Sequence, residues 1–324
     1  MKTNKTIVGL ISLIAMSLSI QSFAASWDMP TPYPEQNFHT VNIIKFTEDI
    51  AEATGGELKI NVHSAGSLFK HPEINKAVRG GQVPIGEFFI GLLANQNPIF
   101  GADTLPFLAT DYENASKLWA AQKPFIEKLL DKQGLKVLFS VPWPGQSLYT
   151  KKPISKVSDL KGLKFRTYNA TLEKFAKAAG SAPTQVEVPD IPQAFSTGRV
   201  EAMITSPSTG VNTKAWDFVT HYTDIQAWIP KNIVVVNKRA FAKLDKSVQE
   251  SVLAAAAKAE ERGWEMSRAE ATQMVQTLKD NGMIVSEPSK ELMSGLREIG
   301  EKMLDEWKTQ AGEDGKLLIK AFSK

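Results

Sequence analysis

Between residues 163 and 205 the apolar positions change their period several times, and the changes lay out a succession of elements. Leu163, Phe165 and Tyr168 mark a buried strand over 163–168, and Asn169 is a good cap for the helix behind it. Leu172, Phe175, Ala176 and Ala179 recur at helical spacing until Gly180 stops the run. A strand over 184–188, a helix over 191–197 and a strand over 200–205 follow. The same order is readable upstream. After a strand near Trp27 and a proline-broken loop, a helix is predicted over 37–53 with Val41, Ile44, Phe46 and Ile50 among its buried positions, closed by Gly55-Gly56. Next come a strand over 58–62, a helix from His71-Pro72 to Gly80-Gly81, and a strand over 83–90. This β-α-β run predicts that the last two strands pair in parallel through a right-handed crossover.

The two regions share a short match. Ile74, Ala77, Gly81 and Val83 correspond to Ile191, Ala194, Gly198 and Val200, four identities in ten positions at a constant offset of 117 residues. Two copies of one α/β unit imply two similar lobes, with a ligand cleft between them. Residues 110–113 form a capping box, and the helix after it buries Leu118, Trp119, Phe125, Ile126, Leu129 and Leu130. A strand over 136–141 breaks at Trp143-Pro144-Gly145-Gln146, a plausible crossing between lobes, before another over 148–150. Past the strand over 233–237, residues 245–280 are helical in pattern. Either they form one spine of about 50 Å that spans both lobes, or two helices broken near Gly263. A last amphipathic helix is predicted over 289–307.

Composition narrows the class. Lys2 and Lys5, an apolar run over 7–20 and the small-x-small triplet Ser22-Phe23-Ala24 read as a secretory signal peptide over 1–24, with a mature chain starting at Ala25. Cysteine is absent, so an exported chain of this size relies on burial and not on disulfides. The net charge of +3 falls to +1 without Lys2 and Lys5, and no basic stripe suggests nucleic acid. G-x-S-x-G elbows, P-loops, dinucleotide fingerprints and H-E-x-x-H are missing. The four histidines, His39, His63, His71 and His221, lack chelating spacing, so no metal and no cofactor is expected. His71 stands apart because it opens a helix facing the expected cleft.

One cation remains to be placed. Arg166 ends a strand of an open α/β sheet, where such sheets bind ligands, and its guanidinium requires an anion. That anion is either an acidic side chain of the same protein or a ligand. Trp27, Tyr33, Phe88, Phe89, Trp143, Tyr149 and Trp228 fall at strand exits, which suggests an apolar pocket around one charged clamp.

Over nearly the whole mature chain the sequence resembles the solute-binding proteins of TRAP transporters, the tripartite ATP-independent periplasmic carriers. The motifs are Gly55-Gly56-Glu-Leu-Lys-Ile with Gly66-Ser-Leu68, Ala77-Val-Arg-Gly-Gly81 and Leu105-Pro106-Phe107. The most specific are Lys152-Pro-Ile and Asp159-Leu-Lys-Gly-Leu-Lys-Phe-Arg166. The resemblance implies an α/β, two-lobed periplasmic binding protein fold with a mostly parallel sheet in each lobe and a long spine helix. Residues 25–145, with a return over 232–260, would form lobe 1, and 146–231 with C-terminal helices over 261–324 would form lobe 2.

The resemblance further implies a non-enzymatic periplasmic protein that shuts on a small organic carboxylate and delivers it to membrane-embedded permease subunits, working as a monomer. It assigns the carboxylate to Arg166 and aligns Pro30, His71, Phe89, Gln146, Val188, Thr205, Ser206 and Trp228 with the family's pocket. Sialic-acid-binding members carry polar groups where this chain has Pro30, Phe89, Gln146 and Val188, and Gln-Glu-Asn where it has Met203-Ile-Thr-Ser206. Unpaired hydroxyls of a sugar acid would each cost about 1 to 3 kcal/mol, so a sparsely hydroxylated, aromatic or branched acid is expected. Phe89 and Trp228 would cover it from opposite lobes. The competing expectations are an exported carboxylate-processing enzyme using His71 or Glu87, and a binding protein for a sensor or an ATP-driven transporter.

Overall fold

The computed structural model describes residues 25–324. The expected signal peptide over 1–24 lies outside the described residues. Strand β1 (Ala25–Pro30), helix α1 (Phe38–Ala53), strand β2 (Leu58–His63), helix α2 (His71–Arg79) and strand β3 (Ile85–Phe89) open the first lobe. Strand β6 (Lys164–Thr167), helix α4 (Ala170–Ala178), strand β7 (Ala182–Gln185), helix α5 (Ile191–Ser196) and strand β8 (Ala202–Thr205) repeat that order in the second. The spatial order repeats in part. β1 pairs in parallel with β2 and packs along β3 without pairing with it, whereas β6 pairs in parallel with both β7 and β8. The parallel partner of β2 is therefore β1, not β3 as the β-α-β reading had it. Helix α2 carries the chain past β1, whose alternating Trp27 and Met29 supply the central apolar row.

Helix α3 (Tyr112–Asp131), β4 (Leu135–Pro142) and β10 (Lys231–Asn237) complete the first lobe, and β5 (Ser147–Thr150), β9 (His221–Thr223) and β11 (Ile284–Ser286) complete the second. The sheets are mixed more than expected. β10 runs antiparallel to β3 and β4, and β5 antiparallel to β8 and β9. These are the strands by which the chain enters each lobe from the other. They start at the cleft, where β3, β4, β6, β7 and β8 end, so they must run the opposite way. The two crossings, residues 143–146 and 227–230, bond to each other: Trp143 N–H donates to Pro230 O at 2.8 Å, and Gln146 N–H to Trp228 O at 3.0 Å.

Strand alternation supplies two apolar layers in each lobe. Val234 and Val236 of β10 join α1 in one layer, while Ile233 and Val235 join α3 in the other. On β8, Ala202 and Ile204 face α4, and Met203 faces the layer built on Phe195 and Tyr222. Several expectations shift by a turn or less. Val41 is exposed, because the buried row of α1 runs through Asn42, Ile43, Phe46, Thr47 and Ile50. Asn42 is buried as the partner of the next long helix, donating to Ala259 O at 2.9 Å and accepting from Arg262 Nε at 2.7 Å. Asp111, one residue past Thr110, caps α3 by accepting from Asn114 N–H.

That long helix, α8 (Lys246–Asp280), is a single 35-residue element of about 50 Å. Gly263 does not break it. A Cβ there would meet Val141 and would lie 2.7 Å from Asn42 Nδ2, so the glycine permits close packing against β4 and α1. Val252, Ala256 and Ala259 pack on the first lobe and Leu278 on the second. Helix α9 (Lys290–Phe322) runs past the expected end at 307, with a kink at Gly312. Its Leu292, Leu296 and Met303 join the second lobe, but Trp307 and Leu318 pack with α3 in the first. Residues 261–324 thus divide between the lobes. Their apolar row is longer than either lobe alone can cover.

Candidate functional site

The carboxyl ends of β3, β4, β6, β7 and β8 point at one another across the cleft, and a small cavity lies between them. It is lined by Tyr33, His71, Phe89 and Trp143 from the first lobe side and by Arg166, Tyr168, Glu187, Val188, Thr205 and Thr209 from the second, with Gln146 and Pro230 of the crossings. Tyr33 and Asn232, 199 positions apart, share one bond because the loop after β1 and the start of β10 meet at the cleft end of the first lobe.

Arg166 is 1% exposed and sits in β6 between β7 and β8. Its Nε donates to Val186 O at 2.9 Å, and the guanidinium lies 4.8 Å from the ring centroid of Tyr168. Among the described residues no carboxylate comes within ion-pair distance of it. Burial lowers its pKa to about 10, against the opposing pull of Tyr168, Glu187 and Tyr33 nearby, so it keeps its charge at neutral pH. A fixed cation without an ion-pair partner among the described residues is thereby held at the wall of the cavity.

The rest of the lining divides into rings and polar groups. Phe89 meets Tyr168 edge to face across the cleft, 5.6 Å between centroids. Tyr168 O–H donates to Gln146 Oε1 at 3.2 Å and accepts from Trp228 Nε1 at 3.0 Å; burial raises its pKa. Gln146 also donates to Pro144 O, so much of its amide is engaged within the crossing. On the first lobe, Asn232 Oδ1 accepts from Trp143 Nε1 at 3.0 Å and from Tyr33 O–H at 3.3 Å. Asn232 is itself anchored by donating to Glu87 at 2.9 Å. Both rings are thus oriented from behind, away from the cavity. Thr209 Oγ1 accepts from Ser206 O–H at 3.0 Å, which leaves its own proton for the cavity.

His71 Nε2 accepts from Phe89 N–H at 3.0 Å, and its Nδ1 lies 3.4 Å from Glu187 Oε2 of the other lobe. Burial would raise the pKa of Glu187, but the bond from His71 and the charge of Arg166 outweigh it and hold the carboxyl below its usual range.

Of the nine residues aligned with a pocket, the structure brings six to this cavity: Arg166, His71, Phe89, Gln146, Val188 and Thr205. Trp228 does not line it. It is buried behind Tyr168 and packs edge to face on Phe175, so Tyr168 is the ring that opposes Phe89. Ser206 caps helix α6 (Pro207–Asn212) by accepting from Thr209 N–H, and its O–H is turned onto Thr209. Pro30 ends β1 beside Gly86 and pairs in register with His63. Tyr168, Glu187, Thr209 and Pro230 join the lining without having been expected. The apolar pattern reads both Tyr168 and Glu187 as strand residues, whereas they follow the ends of β6 and β7, where the cleft opens. Trp27, Phe88 and Tyr149 are core.

Glu87, one base considered for an enzyme, is buried away from the cavity and engaged by Thr31 at 2.6 Å and by Asn232. Its Oε1 also lies 3.3 Å from His39 Nδ1. Among the described residues no group of three or more potential metal ligands comes together, and no helix is long and apolar enough to cross a membrane.

Fold and site define a two-lobed receptor with a buried cation in its cleft. Residues 33–310 match the family of bacterial extracellular solute-binding proteins, family 7, known as DctP, and the chain belongs to that family of TRAP solute-binding receptors. It is a receptor and not an enzyme. Its structure is similar to DctP7 of Bordetella pertussis, an extracytoplasmic solute receptor binding pyroglutamic acid, with a TM-score of 0.92 and 44% identity over 93% of this chain and all of that one. It is also similar to a marine metagenome TRAP solute-binding protein specific for pyroglutamate, with a TM-score of 0.91 and 39% identity over 93% of this chain and 99% of that one. In sequence it is 24% identical to the 2,3-diketo-L-gulonate-binding periplasmic protein YiaO of Escherichia coli, over 95% of this chain and 88% of that protein.

Proposed function

We propose that the protein captures pyroglutamate, or a small cyclic acid very like it, in the periplasm and hands it to the membrane subunits of a TRAP transporter. The observation that carries this reading is Arg166, a charged guanidinium buried in the cavity with no carboxylate of the described protein to pair with it. A ligand carboxylate would meet it in a charge-assisted, fork-to-fork pair, which a lysine could not reproduce. The neighbours of 44% and 39% identity with bound pyroglutamate support the ring size and the lack of hydroxyls. The rings of Phe89, Tyr168 and Trp143 with Val188 and Pro230 offer an apolar surface that suits a flat five-membered ring.

Capture works by closure. Phe89, His71 and Trp143 belong to one lobe, and Arg166, Tyr168 and Thr205 to the other, so a ligand touching both sets favours the shut state over the open one. Residues 143–146 and 227–230 serve as the hinge, with α8 and α9 bridging the two bodies. Residues 25–145 and 146–231 are the cores of those bodies, and the chain is a monomer exported by its first 24 residues. A calorimetric titration with pyroglutamate, N-acetylneuraminate and an aromatic acid tests the ligand reading. Saturable binding of pyroglutamate alone, with the compound recovered unchanged, is expected. Tight binding of the sugar acid alone would overturn it.

A further inference from the structure

The presence of Glu187 is unexplained by carboxylate capture. It places an anion in a cavity built around a cation, where an incoming acid would be repelled. It does not neutralise Arg166, since the two are not within ion-pair distance. Its polar protein partners are His71 Nδ1 at 3.4 Å from Oε2 and a long contact from Gln185 Nε2 at 3.4 Å to Oε1. The His71 ring accepts from Phe89 N–H on Nε2, so in its neutral form it carries its proton on Nδ1 and offers it to Glu187. Ionised in this way, Glu187 is an acceptor only, with lone pairs left over at the wall of the cavity. The donors at the cavity lie elsewhere, on Arg166 and on the hydroxyls of Thr205 and Thr209.

This distribution is complementary to a molecule with three features: a carboxylate for the guanidinium, a carbonyl oxygen for a hydroxyl, and an N–H for Glu187. We propose that Glu187 is a specificity-determining residue that accepts a hydrogen bond from a ring N–H beside the ligand carboxylate, so that the receptor selects lactam acids over lactones and cyclic ketones of the same shape. The proposal rests on the reading of the ligand as a small cyclic acid and adds to it the group that is discriminated. A ring oxygen in place of N–H would face the carboxylate with lone pair against lone pair, leaving a buried acceptor unpaired. Sites built to bond a donor reject analogues lacking it far more strongly than apolar pockets reject a missing methylene.

The test uses the full mature receptor and two ligands that differ by one atom, L-pyroglutamate and 5-oxotetrahydrofuran-2-carboxylate, titrated by calorimetry. The wild type is expected to bind the lactam at least about thirtyfold more tightly than the lactone. In Glu187→Gln the side-chain amide can turn its NH2 toward the ring oxygen, and the ratio is expected to fall to about threefold or less. Because both ligands carry the same charge, the general effect of removing an anion cancels in the ratio, as does any loosening of the fold. Equal affinities in the wild type, or an undiminished ratio in a folded Glu187→Gln, overturn the assignment alone. Binding of neither compound while other carboxylates bind overturns the ligand reading and this assignment with it. The wild-type comparison decides the matter even if the variant does not fold.

Discussion

His71 Nδ1 and Glu187 Oε2 meet 3.4 Å apart from opposite lobes, a tie that exists only while the cleft is shut. The folded-state pKa of Glu187 is lowered, so what the tie contributes is present above the carboxyl's ordinary pKa of about 4.3 and is lost as pH falls through the lower value. The difference in thermal stability between wild type and Glu187→Gln should shrink as pH falls below about 4. Thermal unfolding across pH checks it.

Asp103 behaves in the opposite sense. Its carboxyl is wholly buried, accepts from Lys231 N–H at 2.8 Å and lies 3.9 Å from Lys231 Nζ. Burial raises its pKa to about 6, only partly offset by the charge of Lys231. The native protein therefore binds a proton there that the unfolded chain releases, and stability should decrease as pH rises from about 4 to 6. Over that window the contribution is about 3 kcal/mol, and Asp103→Asn should abolish it. Denaturant melts of both proteins at several pH values measure the difference.

Gly263 sits inside a helix, where alanine ordinarily stabilises by about 1 kcal/mol. Here the added methyl would collide with Val141 and Asn42. Overpacking of this kind costs about 1 to 3 kcal/mol and outweighs the propensity gain, so Gly263→Ala should lower the melting temperature. A rise would show that α8 moves away from β4 at little cost.

Trp228 supports Tyr168 from behind by one hydrogen bond. Trp228→Phe should therefore weaken ligand binding by about tenfold or less, the value of one ordinary bond. Phe89→Ala removes a wall of the cavity itself and should weaken it more. Titrations of the two variants with pyroglutamate rank them.

Much of this architecture was legible because strand and helix periods are local properties. The weak match between 74–83 and 191–200 marked a repeated order of elements, β-α-β-α-β in each lobe, although β6 is paired on both sides and β1 on one. Arg166 was legible for the same reason, as a charge beside Phe165 near the carboxyl end of a strand. What failed were statements about partners. No local pattern says that β2 pairs with β1, or that Asn42 is buried against α8 while Val41 is not. The pocket suffered likewise. Trp228 and Tyr168 are both aromatic and both near the crossings, and only their mutual bond shows which one faces the cavity. Glu187 looked like one more charge near a strand end, because its significance lies in His71, 116 residues away in sequence and in the other lobe.

The central claim is that Arg166 holds the cargo's carboxylate. Calorimetry with pyroglutamate on Arg166→Ala and Arg166→Lys tests it most directly. Loss of the buried charge pair is expected to weaken binding by about a hundredfold or more in the alanine variant and by less in the lysine variant. Near-normal affinity in a correctly folded Arg166→Ala would contradict the account.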